Sequence, residues 1–172
     1  MTSTAVPPDE SERLSLLTAS KLLDAEVNPA FDAIARLLSS QLGCPVGMIN
    51  LVDTHRVWAM AKVGIEARQF SRHDAFCATT IAQGSPLVVL DAQLDPRFKT
   101  CALVTDAPYV RFYAGVPLLV QGHAIGTVCV LDTQPHELSA QSLQVLNDLA
   151  LAASELAQSH LKAQRFRKLE AR

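Results

Sequence analysis

Two adjacent apolar segments in the second half of the chain constrain its fold more than any other feature. Residues Phe112–Val120 and Ala124–Leu131 flank a turn at Gln121-Gly122-His123, and nearly every position in both segments is apolar. They predict an antiparallel hairpin covered on both faces, because strands with one solvated face alternate apolar and polar residues. The chain must therefore place helices on both sides of this sheet.

The N-terminal region supplies one candidate helix. Asp9 with Glu12 forms a capping box for a helix running to about Leu23. Residues 1–8 end in Pro7-Pro8 and are expected to be a disordered arm.

A second helix and a first hairpin follow. The helix has Asn28 as its N-cap, Pro29 at its first position and Gly43 as its terminator. Its apolar face needs a large apolar partner, which Val46–Asp53 and Val57–Val63 provide as an antiparallel hairpin.

A short helix is predicted over Arg72–Gln83. Its candidate caps are Ser71 or Asp74, and Gly84 ends it. It leads into a short strand, Leu87–Leu90.

A long irregular segment separates that strand from Arg111. It spans about twenty residues, contains Pro96 and Pro108, and has no sustained period, and loops of this length are usually lids, binding loops or disordered. Its apolar side chains favour a packed lid: Phe98, Leu103, Val104 and Tyr109.

The last predicted element is a helix that starts at Ser139 and continues for about 30 residues, or ~45 Å. This exceeds what a domain of this size needs, so its end, residues 161–172, is expected to project. The tip is cationic, with Lys162, Arg165, Arg167, Lys168 and Arg172. Two interpretations stay open: a solvated end whose cations suit the helix dipole, or a helix that pairs with a symmetry mate or leads into a further domain.

The composition indicates one soluble domain. The 172 residues include 15 basic and 17 acidic ones, which gives no cationic field for nucleic acid. No apolar run approaches the ~20 residues that span a bilayer, and the N-terminus lacks the pattern of a secretory signal. We expect a cytoplasmic location, with neither nucleic acid nor membrane as a partner.

The cysteines and histidines are scattered. No CxxC pair or metal-finger spacing is present, so the sequence favours reduced, partly buried thiols over a disulfide scaffold and indicates no metal site. The residues concerned are Cys44, Cys77, Cys101, Cys129, His55, His73, His123, His136 and His160.

Arg111 is one cation in an otherwise apolar strand. Burying it without a carboxylate would cost several kcal/mol. Asp91 and Asp95 border the lid, and an arginine fork on one of them would hold the lid shut. This structural clamp is favoured over direct ligand binding, although either would place Arg111 at a cavity edge.

Side-chain alternation extends this candidate site. Tyr113 shares a strand face with Arg111, and Thr127 and Cys129 share one face of the paired strand. Cys77 lies in the first turn of the short helix, where the dipole lowers a thiol pKa, although a buried thiol would be inert. Trp58 could close the cavity or stabilise a subunit contact.

Four motifs carry a family resemblance. FCATTI (76–81), VVLDAQLDPRF (88–98), VRFYAGVPL (110–118) and IGTVCVLD (125–132) resemble the GAF domains of bacterial sensor histidine kinases and diguanylate cyclases. The predicted order of elements is also that of GAF domains, over residues 9–160.

The resemblance implies an α/β (α+β), GAF/PAS-like fold. In it, a mainly antiparallel six-stranded sheet has helices on both faces and a long C-terminal helix, with a ligand cavity under the short helix and the lid. The implied ligand-binding residues are Phe76, Cys77, Thr80, Asp91, Arg111, Tyr113, Thr127 and Cys129.

Three functional subtypes of the family fit less well. The signature of cyclic-nucleotide binders is missing, and Cys77 precedes Ala78 rather than the histidine of bilin binders. In free methionine-R-sulfoxide reductases the motifs around the cysteines differ from FCATTI, so a thiol enzyme is an alternative rather than the main prediction.

The sequence therefore predicts a sensory or regulatory domain without catalytic residues or an identifiable cofactor. We expect it to bind a small cytoplasmic ligand, to form a homodimer through its terminal helices, or both. It would signal along the C-terminal helix to a histidine kinase or diguanylate cyclase in another chain or a removed domain. A purely structural dimerisation module is the remaining alternative.

Overall fold

A computed structural model describes residues 6–172, which form one six-stranded sheet with helices on both faces. The strand order is β3-β2-β1-β6-β5-β4, and every neighbouring pair is antiparallel. The strands are β1 (Val46–Val52), β2 (Arg56–Val63), β3 (Gln69–Ser71), β4 (Leu87–Val89), β5 (Phe112–Val120) and β6 (His123–Asp132). Both predicted hairpins are confirmed, and so is the predicted fold class.

The helices divide between the two faces. They are α1 (Glu10–Ser20), α2 (Pro29–Leu42), α3 (Phe76–Gln83), α4 (Ala102–Thr105) and α5 (Ala140–Glu170). Helices α1, α2 and α5 pack on one face through an apolar cluster that includes Phe31, Leu38 and Leu146. The other face is covered by α3 and residues 90–111, through a second cluster around Phe76 and Phe98. No helix within residues 6–172 is both long and apolar enough to cross a membrane.

Capping residues explain where α2 and α5 begin and where α2 ends. The Asn28 side chain accepts a hydrogen bond from the Ala30 N–H at 2.9 Å, and Gly43 adopts the left-handed conformation (φ 66°) that ends α2. Ser139 caps α5 by accepting from the Ser142 N–H at 3.0 Å. The 31 residues of α5 extend about 45 Å.

The predicted capping box of the first helix is wrong. The Asp9 side chain makes no cap bond and instead contacts the His123 ring, with Oδ2 2.6 Å from Nδ1. Helix α1 ends at Ser20, because Lys21 adopts a left-handed conformation (φ 55°). Of the predicted arm, residues 1–5 lie outside the described residues, and Pro7 is buried.

The predicted helix over 72–83 is divided. Residues up to Ser71 remain extended because β3 pairs with β2, and Arg72–Asp74 form a single 3-10 turn. Ala75 is extended (φ −103°, ψ 135°), so α3 begins only at Phe76, without the predicted side-chain cap from Ser71 or Asp74.

The long segment after β4 packs on the sheet as a roof. Phe98 and Val104 are buried and Leu103 is half-buried, in agreement with the predicted packed lid. Tyr109 does not pack: it is 51% exposed, and its backbone is left-handed (φ 59°).

Candidate functional site

A small cavity lies between the sheet and its roof. Its floor is formed by strand residues, and its walls come from α3, the β2–β3 region and residues 103–110. Only about 20 Å³ is open to the centre of a water molecule, which is room for one or two waters. The lining is almost entirely apolar and includes Met48, Asn50, Phe70, Phe76, Cys77, Leu103, Pro108, Tyr113 and Cys129.

Asn50 is the polar centre of this site. Its amide Nδ2 donates to two sulfur atoms, Cys77 Sγ at 3.4 Å and Cys129 Sγ at 3.5 Å. Thr127 Oγ1 also donates to Cys77 Sγ at 3.0 Å. Asn50 is only 2% exposed, and its Oδ1 has no hydrogen-bond partner within residues 6–172. A buried acceptor of this kind needs a donor to offset its desolvation.

Strand register brings these groups together. Asn50 lies opposite Thr127 in the β1–β6 pair, and Met48 lies opposite Cys129. On β5, the Tyr113 ring lies over Gly115, where a Cβ would be 2.1 Å from the phenol oxygen. This glycine therefore makes room for the tyrosine.

The two thiols differ in acidity. Hydrogen bonds from Cys129, Thr127, Asn50 and Tyr113 outweigh burial and lower the pKa of the Cys77 thiol to about 7. The hydrogen bond to Cys77 and burial together raise the Cys129 pKa well above its usual range. These opposite shifts make Cys77 the more acidic of the two thiols, with hydrogen bonds from neighbouring side chains as the cause.

The fold places six of the eight predicted site residues together. Phe76, Cys77, Tyr113 and Cys129 line the cavity. Thr127 and Thr80 stand behind them: Thr80 Oγ1 lies 2.8 Å from the Tyr113 hydroxyl, and the Phe76 and Tyr113 rings stack with centroids 4.9 Å apart.

Arg111 and Asp91 do not line this cavity, and the predicted carboxylate clamp is wrong. The Arg111 guanidinium donates to two carbonyl oxygens, Val104 O at 2.9 Å and Val110 O at 3.1 Å. Asp95 pairs instead with Arg97 at 2.7 Å. Arg111 is only half-buried, so carbonyls and water can satisfy it without a carboxylate. It still holds the roof, through the backbone of α4.

Two further residues differ from the sequence-based expectation, Trp58 and Asn50. Trp58 lies in the helix-side cluster rather than at the cavity, with the Arg68 guanidinium 5.7 Å from its ring centroid. Asn50 was missed, although it is the one polar side chain in the otherwise apolar strand VGMINLV. A buried amide in such a strand is a recognisable signal of a polar site.

A second cluster lies on the other side of the sheet. The ligand-type atoms of Cys44, Asp132 and His136 all lie within 4.8 Å of one another, although their sequence spacing indicated no metal site. The His136 ring contacts the Asp132 carboxylate directly. Burial, together with the Asp132 charge, raises the pKa of the Cys44 thiol to about 11.

Comparison with known proteins places these features in context. The family model described as "GAF domain" matches residues 26–155. A cyclic di-GMP phosphodiesterase of Pseudomonas aeruginosa is 35% identical over 136 residues, which cover 78% of this chain and 23% of that protein. The chain therefore corresponds to less than a quarter of this relative's length.

Two solved structures share the fold. The GAF domain of an Acinetobacter phosphoenolpyruvate-protein phosphotransferase is 17% identical, covers 88% of this chain and 96% of its own, and has a TM-score of 0.65. Free methionine-R-sulfoxide reductase from Neisseria meningitidis, in complex with its substrate, is 17% identical, covers 97% and 98%, and has a TM-score of 0.61. At these identities the likeness concerns the fold alone.

Proposed function

Because this chain belongs to the GAF domain family, we propose that it is a sensory or regulatory domain that binds a small ligand in the cavity above Asn50. The observation that carries the proposal is the buried Asn50 Oδ1, which lacks a partner among the described residues and belongs to a side chain that lines the cavity. A ligand with an N–H or O–H donor would satisfy it and offset the cost of its burial.

The cavity restricts the ligand's size and polarity. Its walls are apolar, and its present space suits only a water-sized molecule. A larger ligand requires the roof residues Leu103 and Pro108 to move outward. The ligand is therefore a compact, mainly apolar molecule with one donor group, and binding is coupled to movement of residues 90–111.

Helix α5 is the proposed output element. It packs on the helix-side face of the same sheet that forms the cavity floor, so a change in the sheet reaches it directly. A ligand that binds one of two arrangements of α5 more tightly would shift the protein toward that arrangement. The coupling free energy between ligand binding and the helix arrangement would be about 1–3 kcal/mol. The relative's name suggests that the controlled effector is a cyclic di-GMP enzyme; a histidine kinase is the other candidate. We place this effector and the domain in the cytoplasm.

Native mass spectrometry of the purified protein, compared with its denatured mass, tests ligand binding and subunit number together. We expect an added mass in the native spectrum that is lost in Asn50→Ala and kept in Asn147→Ala, a control on α5. A bound ligand should also raise the melting temperature. At a free ligand concentration of a hundred times its Kd, the free energy of unfolding increases by about 2.7 kcal/mol. A dimerisation module would be favoured if the wild-type protein and Asn147→Ala show no added mass and no small molecule raises the melting temperature.

The cysteine pair supports a second candidate, a thiol-dependent methionine sulfoxide reductase. The Cys77 thiolate would attack the sulfoxide sulfur and release methionine, leaving a sulfenic acid on Cys77. The Cys129 thiol would then form a disulfide with loss of water, and an external dithiol would reduce it. Turnover of free methionine sulfoxide with dithiothreitol, abolished by Cys77→Ser and kept in Cys101→Ser, would support this function. Lack of turnover by the reduced wild-type protein would eliminate it.

A further inference from the structure

The second polar cluster, on the helix-side face of the sheet, combines two metal-ligand residues that are close in sequence, Asp132 and His136, with one from a distant part of the chain, Cys44. Cys44 lies in the connection between α2 and β1, Asp132 ends β6, and His136 lies in the connection between β6 and α5. Their potential ligand atoms are all within 4.8 Å of one another. We propose that Cys44, Asp132 and His136 form a binding site for a single zinc ion at the base of α5.

The geometry is close to what zinc requires. Zinc bonds of about 2.0 Å to nitrogen and oxygen and about 2.3 Å to sulfur put tetrahedral ligand atoms about 3.3–3.6 Å apart. The ion would enter where His136 Nε2 now contacts Asp132 Oδ2. The two ligand atoms would have to separate to about 3.3 Å and the sulfur would have to move inward as the ion binds.

The backbone around two of the ligands is already held in place. Ser39 Oγ donates to the Cys44 carbonyl at 2.6 Å, and the Ser39 carbonyl accepts the Cys44 N–H at 3.2 Å. The Gln134 N–H donates to Asp132 Oδ1 at 3.0 Å, which leaves Oδ2 available for the ion. Such outer contacts orient ligands before the metal binds.

The ligand chemistry selects zinc over the common hard cations. Thiolate and imidazole suit zinc, whereas magnesium and calcium prefer oxygen ligands. One thiolate and one carboxylate neutralise a divalent ion, and the thiol proton leaves to solvent as the metal–sulfur bond forms. Three protein ligands leave a fourth position for water or a small molecule.

Zinc at this position would tie the α2–β1 connection to the β6–α5 connection. The His136 N–H also donates to the Leu90 carbonyl at 3.2 Å, where the roof segment begins. Metal binding would therefore order the joint between the sheet and its output helix, separately from the ligand cavity on the opposite face.

Cobalt(II) is the probe for the test, because a cobalt–thiolate bond absorbs in the near ultraviolet. We expect the reduced 172-residue protein to bind one equivalent of Co²⁺ with this band, and Zn²⁺ to displace it. Cys44→Ser should abolish the band, and His136→Gln should weaken Co²⁺ binding at least about tenfold. Cys101→Ser and His160→Gln are the matched controls and should bind as the wild type does.

His136→Gln keeps the test decisive if Cys44→Ser does not fold, because the His136 ring is partly exposed. The proposal is overturned if the wild-type protein shows no thiolate band at excess Co²⁺. It is equally overturned if the band survives in folded Cys44→Ser or if His136→Gln binds with unchanged affinity.

Discussion

At the scale of single residues, a buried ion network is the least expected feature of the molecule. Arg13 is fully buried, and its guanidinium pairs with Glu10, with an N–O distance of 2.9 Å. Arg72 is 3% exposed and contacts the same carboxylate at 2.6 Å. The Arg13 guanidinium also donates to the Val52 carbonyl at 2.5 Å. The Glu10 carboxylate thus joins α1 to the turn before α3 through Arg72, and the Arg13 guanidinium joins α1 to the end of β1.

The protein should lose stability in acid through Glu10. Burial opposes its ionisation, but hydrogen bonds from Arg13 and Arg72 lower the pKa of Glu10 to about 2, from the usual 4.5. Because the folded pKa is depressed, this stabilisation is complete above the unfolded pKa and declines as pH falls from about 5 toward 2. Urea unfolding at several pH values should show this decline, and the decline should be smaller in Glu10→Gln.

Glu10→Ala should also destabilise the protein at neutral pH. It leaves the buried Arg13 without a carboxylate, at a cost of about 3 kcal/mol, the low end for breaking a buried pair, because Glu10 is itself partly exposed. Glu12→Ala, on the exposed face of the same helix, is the control. Equal unfolding free energies for the two variants would show that the network adds no net stability.

At the scale of elements, the roof segment is held at a few points. Arg111 bonds two of its carbonyls, and the Ala92 N–H donates to the Arg111 carbonyl at 2.6 Å. Phe98 and Val104 anchor its apolar side. Segments with few anchors open locally more readily than the strands beneath them.

Arg111→Met should loosen the roof without unfolding the sheet. It removes two side-chain hydrogen bonds, each worth about 1 kcal/mol, while the methionine keeps the apolar stem. Amide hydrogen exchange should accelerate within residues 92–110 and remain unchanged in β1 and β6. Arg97→Met, which removes an exposed ion pair of the same segment, is the control. Unchanged exchange in Arg111→Met would show that apolar packing alone holds the roof.

At the scale of the whole molecule, α5 carries apolar side chains beyond those that pack on the sheet. Leu151, Phe166 and Leu169 are each more than 60% exposed. A second copy of this chain, paired along α5, is the partner we propose for these side chains.

Phe166→Glu should weaken this pairing. A charge within an apolar contact has to be desolvated on association, so the dimer should dissociate at higher protein concentration than in the wild type. Light scattering after size-exclusion chromatography measures this, with Arg165→Glu as a control for charge near the tip. A wild-type protein that is monomeric over the whole accessible concentration range would contradict the proposal.

Local patterns in the sequence by themselves determined the framework. The Asn28 cap, apolar periodicity and turn residues predicted α2, α5 and both hairpins correctly, because each depends on neighbours a few residues away. The doubly apolar strands likewise required a sheet with helices on both faces.

Only the tertiary structure decided which side chains meet. Asn50 reaches Cys77 and Cys129 across 27 and 79 residues, and Cys44 likewise comes from a distant part of the chain to meet Asp132 and His136, which are near neighbours in sequence. The Arg111 guanidinium bonds carbonyl oxygens rather than a carboxylate. The path of residues 90–111 decides which groups lie near it, and the acidic residues nearby in sequence do not. Such contacts depend on strand register and packing between distant segments, and no local pattern in the chain encodes them.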